Sequence, residues 1–307
     1  MRTLVTGGAG FIGSHLADGA CARGHEVLII DDLSRGSRAN LPEQARFLQL
    51  DITQPEAIDA LRDFAPDAVF HFAAQMDVRH SVADPIFDAQ VNVLGTIALA
   101  RAAAESGCQL FAMASTGGAI YGEQSEYPAS ESHPCRSESP YGLSKLAGEQ
   151  YLDYFGRTSG MRTAALRLAN VYGPRQDPHG EAGVVAIFSQ KMLAGEQPTI
   201  FGDGGQTRDY VYVGDVVAGY LSLLDHPEAS GSMNIGTGIE TDVNELARVI
   251  GDAAKYDGEP AYAPGKPGEQ RRSVISHQLA TERLGWTPRM DLQTGLQQTV
   301  AWFAERV

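Results

Sequence analysis

Tyr141 and Lys145 stand four residues apart in Tyr141-Gly142-Leu143-Ser144-Lys145. On a helix that spacing puts both side chains on one face, so the ammonium can lie beside the phenol. A phenol loses its proton at about pH 10 in water, and a neighbouring positive charge lowers that value. Tyr141 could then serve as an acid or base near neutral pH. Such a pair also arises by chance on solvated surfaces, so it gains meaning from two further stretches. Ala114-Ser115-Thr116-Gly117-Gly118 brings hydroxyls, and Gly7-Gly8-Ala9-Gly10-Phe11-Ile12-Gly13 lies near the N-terminus.

The glycine stretch has the context that a dinucleotide site requires. Thr3-Leu4-Val5 is a short apolar run ending in the glycines, and Phe11, Ile12, Leu16 and Ala20 then recur at helical spacing. Glu26 to Ile30 is a second apolar strand ending in Asp31-Asp32. Gly7 and Gly10 let backbone amides, with those of Phe11 and Ile12, approach a pyrophosphate at a helix N-terminus, where the dipole favours negative charge. An acidic residue roughly 20 positions further on suits the adenosine ribose hydroxyls. Asp31, followed by Asp32, fits that role and would repel a 2′-phosphate, so NAD is expected rather than NADP.

Strands and helices go on alternating. Arg46 to Leu50 reads as a strand ending in Asp51-Ile52, which could hold the adenine. Ala68 to Phe72 reads as a buried strand followed by Ala73-Ala74-Gln75, small residues that admit a cofactor. His71 within it reads as a core histidine. A long helix is expected from about Pro85 to Ser106, a strand from Leu110 to Ser115, and a strand from Thr163 to Leu168. The Tyr141 helix should begin after Ser139-Pro140 and end near Gly156. The pattern predicts an α/β fold with a parallel doubly wound sheet, whose ligands lie at the carboxyl ends of the strands. Gly7, Asp31, Asp51, Ala73, Ser115 and Asn170 all fall at such ends.

After about residue 170 the chain becomes loop-rich, through Asn170-Val171-Tyr172-Gly173-Pro174-Arg175-Gln176-Asp177-Pro178-His179-Gly180. Asp177, His179 and Glu181 are ligand types, but a proline-broken loop presents them poorly and no metal is expected. Cations gather at Arg208, Lys266, Arg271 and Arg272. They are either solvated charges or a clamp for a diphosphate, since Arg binds phosphate oxygens bidentately.

Composition narrows the classes. The chain has 307 residues, 43% of them hydrophobic and 20% charged, which suits a soluble globular protein with a large core. A formal net charge of −14 argues against binding nucleic acid or an anionic membrane. Cys21, Cys108 and Cys135 lack metal or redox spacing, and their odd number leaves one unpaired. A reducing cytoplasm is the simplest setting. Neither a secretory segment nor an apolar run long enough to span a bilayer is expected.

Taken together, Gly7-x-x-Gly10-x-x-Gly13, Asp31, Asp51, Tyr141-x-x-x-Lys145, Asn170, Arg208-Asp209-Tyr210, Lys266-Pro267-Gly268-Glu269 and Gly285-Trp286-x-Pro288 resemble the extended short-chain dehydrogenase/reductases. Within them the match is to the UDP-glucose (UDP-galactose) 4-epimerase group, over essentially the whole chain. The resemblance implies a Rossmann-type NAD-binding domain over residues 1–170, with short later segments returning to it. A smaller C-terminal α/β domain over 171–307 would bind the UDP-sugar. It also implies tightly held NAD and Tyr141 as the base at the sugar 4-hydroxyl. Lys145 would bridge the nicotinamide ribose and lower the Tyr141 pKa, and the 4-keto sugar would rotate and take back its hydride on the other face. Asn170, Val184, Val185, Phe201, Arg208, Lys266 and Glu269 match segments that grip the nucleotide diphosphate. The long helices from Pro85 and Tyr141 would pair in a homodimer.

Three departures stand out. Counting back from Tyr121-Gly122, the hydroxyl that assists Tyr falls near Gly117, so the role passes to Thr116, with Ser115 in reserve. Lys266 replaces a common Arg, and Arg271 or Arg272 would compensate. Ser273 falls near the position gating the sugar pocket, and its small side chain leaves room for a 2-acetamido group. UDP-GlcNAc and UDP-GalNAc are therefore expected besides UDP-Glc and UDP-Gal. A 4,6-dehydratase would carry Asp-Glu where Gly117-Gly118 stand. A UDP-glucuronate epimerase or decarboxylase would need a cation for the C6 carboxylate, and Arg175 is the candidate. An inactive NAD-binding scaffold would have lost Tyr141 or Lys145.

Overall fold

The computed structural model describes residues 1–178, 183–265 and 270–306. In chain order its elements are β1 (Arg2–Thr6), α1 (Phe11–Ala22), β2 (Glu26–Asp31), β3 (Arg46–Gln49), α2 (Pro55–Phe64), β4 (Ala68–His71), α3 (Val78–Ala83), α4 (Pro85–Ala89), α5 (Thr96–Glu105), β5 (Leu110–Thr116), α6 (Gly117–Ile120), α7 (Pro140–Ser159) and β6 (Arg162–Leu168). There follow β7 (Asn170–Tyr172), α8 (Val184–Leu193), β8 (Thr199–Phe201), β9 (Thr207–Arg208), β10 (Tyr210–Tyr212), α9 (Val213–Asp225), β11 (Gly231–Ile235), β12 (Thr241–Asp242), α10 (Val243–Ala254), β13 (Ala261–Ala263), β14 (Arg272–Ser273), α11 (Gln278–Leu284) and α12 (Leu292–Ala304).

Seven strands form one sheet in the order β11-β6-β5-β4-β1-β2-β3, and each recorded pairing is parallel. Its strands read as unbroken apolar runs because both faces are covered. Side chains alternate across a strand, so Val5, Ile29 and Phe70 pack with α1, α9 and α11. Leu4, Leu28, Ile30 and Val69 pack on the other face with α2, α5 and α7. A third cluster gathers α8, α10 and α12 around Tyr172, Ile200 and Tyr210.

Two helices differ from expectation. The helix expected from Pro85 is interrupted by a π-helical stretch, Gln90–Gly95, between α4 and α5. The Tyr141 helix begins as foreseen, with the Ser139 hydroxyl accepting from the Gly142 amide, but it runs to Ser159. Gly156 does not stop it. An added Cβ there would lie 2.8 Å from Thr163 Oγ1, so the glycine lets the helix approach β6. Gly160, at φ +74°, supplies the left-handed residue that ends it.

Beneath the sheet's carboxyl edge lies a buried polar network. Arg167 of β6 donates through Nη2 to Glu149 of α7 at 2.7 Å and through Nη1 to the Tyr121 hydroxyl at 3.0 Å. Ser115 and Ser232 also donate to Glu149, and Tyr121 donates to Asn234 at 2.7 Å. Burial pushes the Tyr121 phenol up to about 12. The network ties β5, β6, β11 and α7 together, and it accounts for a polar seventh strand that hydrophobic pattern does not announce. Arg167→Ala leaves the Glu149 carboxylate buried and unpaired, and should lower unfolding free energy by about 3–5 kcal/mol in denaturant titration.

Candidate active site

The turn from β1 to α1 is built from close backbone approaches. Gly7 sits at φ +69°, and a Cβ there would lie 2.5 Å from the Ala73 nitrogen. A Cβ at Gly13 would lie 2.2 Å from the Gly7 carbonyl oxygen. Among the described residues no side chain caps α1 at Gly10. The first-turn amides of Phe11, Ile12 and Gly13 therefore have no helical acceptor and point out of the helix start. Asp31 ends β2 beside this turn, accepting from the Ala9 amide at 3.0 Å and the Leu33 amide at 2.8 Å. Burial pushes its carboxyl up, against those two amides. A narrow, uncapped cradle with a carboxylate at the end of the next strand fits the pyrophosphate and ribose of a dinucleotide.

The other residues expected around a cofactor fall into two groups. Phe72, Ala73, Ala74 and Gln75 follow β4 and are half-buried, with Phe72 edge-on to Tyr220 at 4.8 Å. Asp32 and Asp51 are exposed; each accepts from the residue two positions on, Ser34 and Thr53 respectively. Ile52 is a core residue packed with α2 and α5. His71 lies in the core, as expected. The Thr96 hydroxyl donates to the Asn92 carbonyl, so His71 Nε2–H donates to Thr96 and its Nδ1 accepts from Thr6. Burial holds this imidazole neutral, lowering its pKa to about 3.

On α7 Lys145 is buried and Tyr141 half-buried, with Lys145 Nζ 5.9 Å from the centre of the Tyr141 ring. The Tyr141 amide donates to Ser81 Oγ at 3.1 Å, which fixes the start of the helix. Burial dominates and pushes the phenol up, with the Asp88 carboxylate adding to it. The same burial brings Lys145 down to about 8, opposed by Asp88. Taking either charge out of water costs more than the pair returns.

The hydroxyl question has a steric answer. A Cβ at Gly117 would press to 2.7 Å from Ile275 Cδ1, so a serine there would collide with the core. Ser115 Oγ donates to Glu149 at 2.6 Å and belongs to the network beneath the site. Thr116 caps α6, accepting from the Ala119 amide at 3.2 Å, and its own hydrogen stays available to donate. An added Cβ at Gly142 would lie 2.6 Å from the Ala119 carbonyl oxygen, so α6 is pressed against the start of α7. Ser273 is buried on β14, and Gly118 faces it: a Cβ at 118 would lie 4.0 Å from Ser273 Oγ with no closer neighbour.

Of the expected diphosphate clamp, Arg208 on β9 and Arg272 on β14 lie on paired strands, with Arg271 just before β14. Arg208 Nη1 donates to the Thr207 carbonyl at 2.7 Å. Arg271 forks onto Asp203 at 2.7 and 3.0 Å on the surface, and Arg272 is paired with Glu240 and stacked on Tyr127. Neither stands ready to replace Lys266. Lys266 and Glu269, like His179 and Glu181, lie outside the described residues. Val185 is packed in the third cluster, with Val184 partly buried against it, so only their backbone at the start of α8 could face an anion. Asn170 opens β7 half-buried, and Phe201 is exposed. Arg175 Nη1 is engaged with Asp18 at 2.7 Å and Ser14 at 3.1 Å, away from any sugar carboxylate role.

The sequence gives no role to Asp88 and Asn92, which join Gln75 in a hydrogen-bonded cluster, or to the Asp209 of the Arg208-Asp209-Tyr210 motif. The Asp209 carboxylate accepts from the Thr237, Gly238 and Ile275 amides and locks β10 to the loop after β11. The one available signal was a polar residue inside an apolar helix, as at Asn92.

A parallel doubly wound sheet carrying a dinucleotide cradle and a Tyr-Lys pair on α7 defines a nicotinamide-dependent enzyme of the extended short-chain dehydrogenase/reductase class. Residues 3–236 match the NAD dependent epimerase/dehydratase family, and the chain belongs to it. A UDP-glucose 4-epimerase of Mycolicibacterium smegmatis is 45% identical over 100% of this chain and 99% of its own. The solved UDP-glucose 4-epimerase of Thermotoga maritima, with UDP-glucose, superposes with a TM-score of 0.96 at 44% identity, covering 100% of this chain and 99% of that one. The Thermus thermophilus UDP-glucose 4-epimerase, complexed with NAD, gives a TM-score of 0.93 at 44% identity over all of both chains.

Proposed function

We propose that this chain is an isomerase that interconverts UDP-galactose and UDP-glucose through a transient 4-keto sugar. The observation that carries the reading is the Tyr141–Lys145 pair on α7 together with a dinucleotide cradle, in a chain matching UDP-glucose 4-epimerases along its whole length. Residues 1–170 would hold the cofactor, through the amides of Phe11 and Ile12 and the Asp31 carboxylate, and residues 171–307 the UDP-sugar. Bound there, NAD supplies the acceptor and donor for the sugar C4 hydride.

Tyr141 takes the proton from the 4-hydroxyl and later returns it. Burial favours the protonated phenol, which suits the returning half, and the first half needs a positive charge close by. Lys145 supplies one, and Thr116 is the hydroxyl available to steady the oxygen. Water exclusion at both side chains strengthens these interactions without reorganisation during reaction. Purified enzyme given UDP-galactose without added reductant should form UDP-glucose. Tyr141→Phe should depress that conversion by at least about a hundredfold while the cofactor co-purifies. Accumulation of a 4-keto-6-deoxy sugar or of NADH would reject the reading.

The sugar pocket is proposed to admit 2-acetamido sugars, on the support of Ser273 and the open side of Gly118. Ser273→Tyr should depress turnover of UDP-GlcNAc and UDP-GalNAc selectively, and equal loss on both classes would reject it. Free Cys21, Cys108 and Cys135 support a cytoplasmic setting. No helix among the described residues is long and apolar enough to cross a membrane.

The chain is further proposed to be a homodimer. Val82, Ile86, Phe87, Leu94, Leu143 and Tyr154 stay exposed along α3, α4, the π-helical stretch and α7, with Ile86 at 72%. An apolar surface of this kind marks an interface. Light scattering should give the mass of two chains.

A further inference from the structure

Three residues read as gripping the UDP-sugar stand on separate short strands: Asn170 on β7, Arg208 on β9 and Ser273 on β14. These strands belong to two small sheets, β10-β7 and β12-β9-β14, whose ladders are two or three residues long. Ladders that short fix little by themselves. Asp209, the residue between β9 and β10, joins all three. It follows Arg208 in the chain, its carbonyl accepts from the Asn170 amide at 2.8 Å, and its amide donates to the Ser273 carbonyl at 3.0 Å. Its side chain, 2% exposed, then reaches back to the large sheet. Oδ1 accepts from the Thr237 amide at 2.8 Å and the Thr237 hydroxyl at 2.6 Å, in the loop that leaves β11. Oδ2 accepts from the Gly238 amide at 3.1 Å and the Ile275 amide at 3.4 Å. Gly236 makes this approach possible, since a Cβ there would lie 2.5 Å from Oδ2.

We propose that Asp209 is the positioning residue of the sugar-nucleotide half of the site, holding Asn170, Arg208 and Ser273 in register with the sheet that carries the cofactor cradle. The proposal rests on the reading of those three residues as the UDP-sugar grip. β11 is an edge strand of the seven-stranded sheet, and the cradle follows β1 of the same sheet. The Asp209 carboxylate is therefore a joint between the two halves. Ser273, so held, faces Gly118 of the other half, where an added Cβ would lie 4.0 Å from its Oγ. Four donors compensate the carboxylate for the water it has lost, so removing acceptor capacity leaves buried amides unpaired and the joint loosened. The uridine and diphosphate do not change during reaction. A grip on them that has lost its placement should therefore show in KM rather than in kcat.

Asp209→Asn keeps the size of the side chain but turns one acceptor oxygen into a donor that faces an amide. In the holoenzyme, KM for UDP-galactose and the Kd of UDP alone should each rise at least about tenfold. Turnover at saturating sugar should stay within about threefold, and bound NAD should be unchanged. Thr237→Val removes only the hydroxyl donor and should raise the UDP Kd about threefold, while Thr237→Ser keeps the parental value. That pair carries the test where Asp209→Asn does not fold. Because Asp209 acts through Arg208, combining Asp209→Asn with Arg208→Ala should cost less UDP affinity than the product of the two single losses. An unchanged UDP Kd, a fully multiplicative double variant, or joint loss of NAD and UDP in Asp209→Asn would each overturn the inference. Parental UDP affinity in Arg208→Ala would instead sink the grip on which it rests.

Discussion

The cost of burying charge is the constraint on which this site depends. Lys145 is buried on α7 and Tyr141, one turn earlier, is half-buried, so neither an ammonium nor a phenolate is fully solvated there. Burial lowers the proton affinity of the lysine and raises that of the phenol, both against what proton exchange with an alcohol requires. Gln75, Asn92 and the π-helical stretch before α5 hold one carboxylate in place. His71, which could have added a second cation, is kept neutral by two threonines.

The network under the site solves the same problem by a different route. Glu149 lies one turn beyond Lys145 on α7, yet it accepts from Arg167, Ser115 and Ser232 and has no charge to spare for the lysine. Two buried carboxylates therefore have separate partners: Glu149 secures four elements of the fold, and Asp88 is held by Gln75 and Asn92. Committing Ser115 to the first task, with Ile275 filling the space at Gly117, leaves Thr116 as the hydroxyl at the end of β5.

Much of the fold could be read from the chain because parallel strands buried on both faces are apolar without interruption. The runs at Leu4, Leu28, Val69 and Phe111 stand out for that reason. The glycine loop and Asp31 were legible because close backbone approach and strand-end placement leave a residue-type signature. The seventh strand was not, since Gly231-Ser232-Met233-Asn234-Ile235 buries polar groups against partners far along the chain. Nor was the fate of the cations. Whether Arg175 or Arg271 meets a ligand or an aspartate depends on residues some 70 to 160 positions away. Spacing carries no information about that. The burial of Lys145 was not legible for a related reason: i, i+4 spacing announces the neighbour, and says nothing of how much water the pair has lost.

The protein's overall charge sharpens the remaining point. A chain with a net charge of −14 repels anions at long range, while dinucleotides and nucleotide sugars are anions. Arg271 and Arg272 do little to offset this, because they are already matched by Asp203 and Glu240. Among the described residues no side chain caps the helix starts at Gly10 and Gly183, whose amides act only at contact distance. Recognition built this way is insensitive to the protein's net charge and demanding of geometry, since the attraction vanishes within a turn of the helix. It follows that selectivity for a diphosphate should reside in backbone placement. The glycines that permit that placement, more than any basic side chain, are the residues on which binding turns.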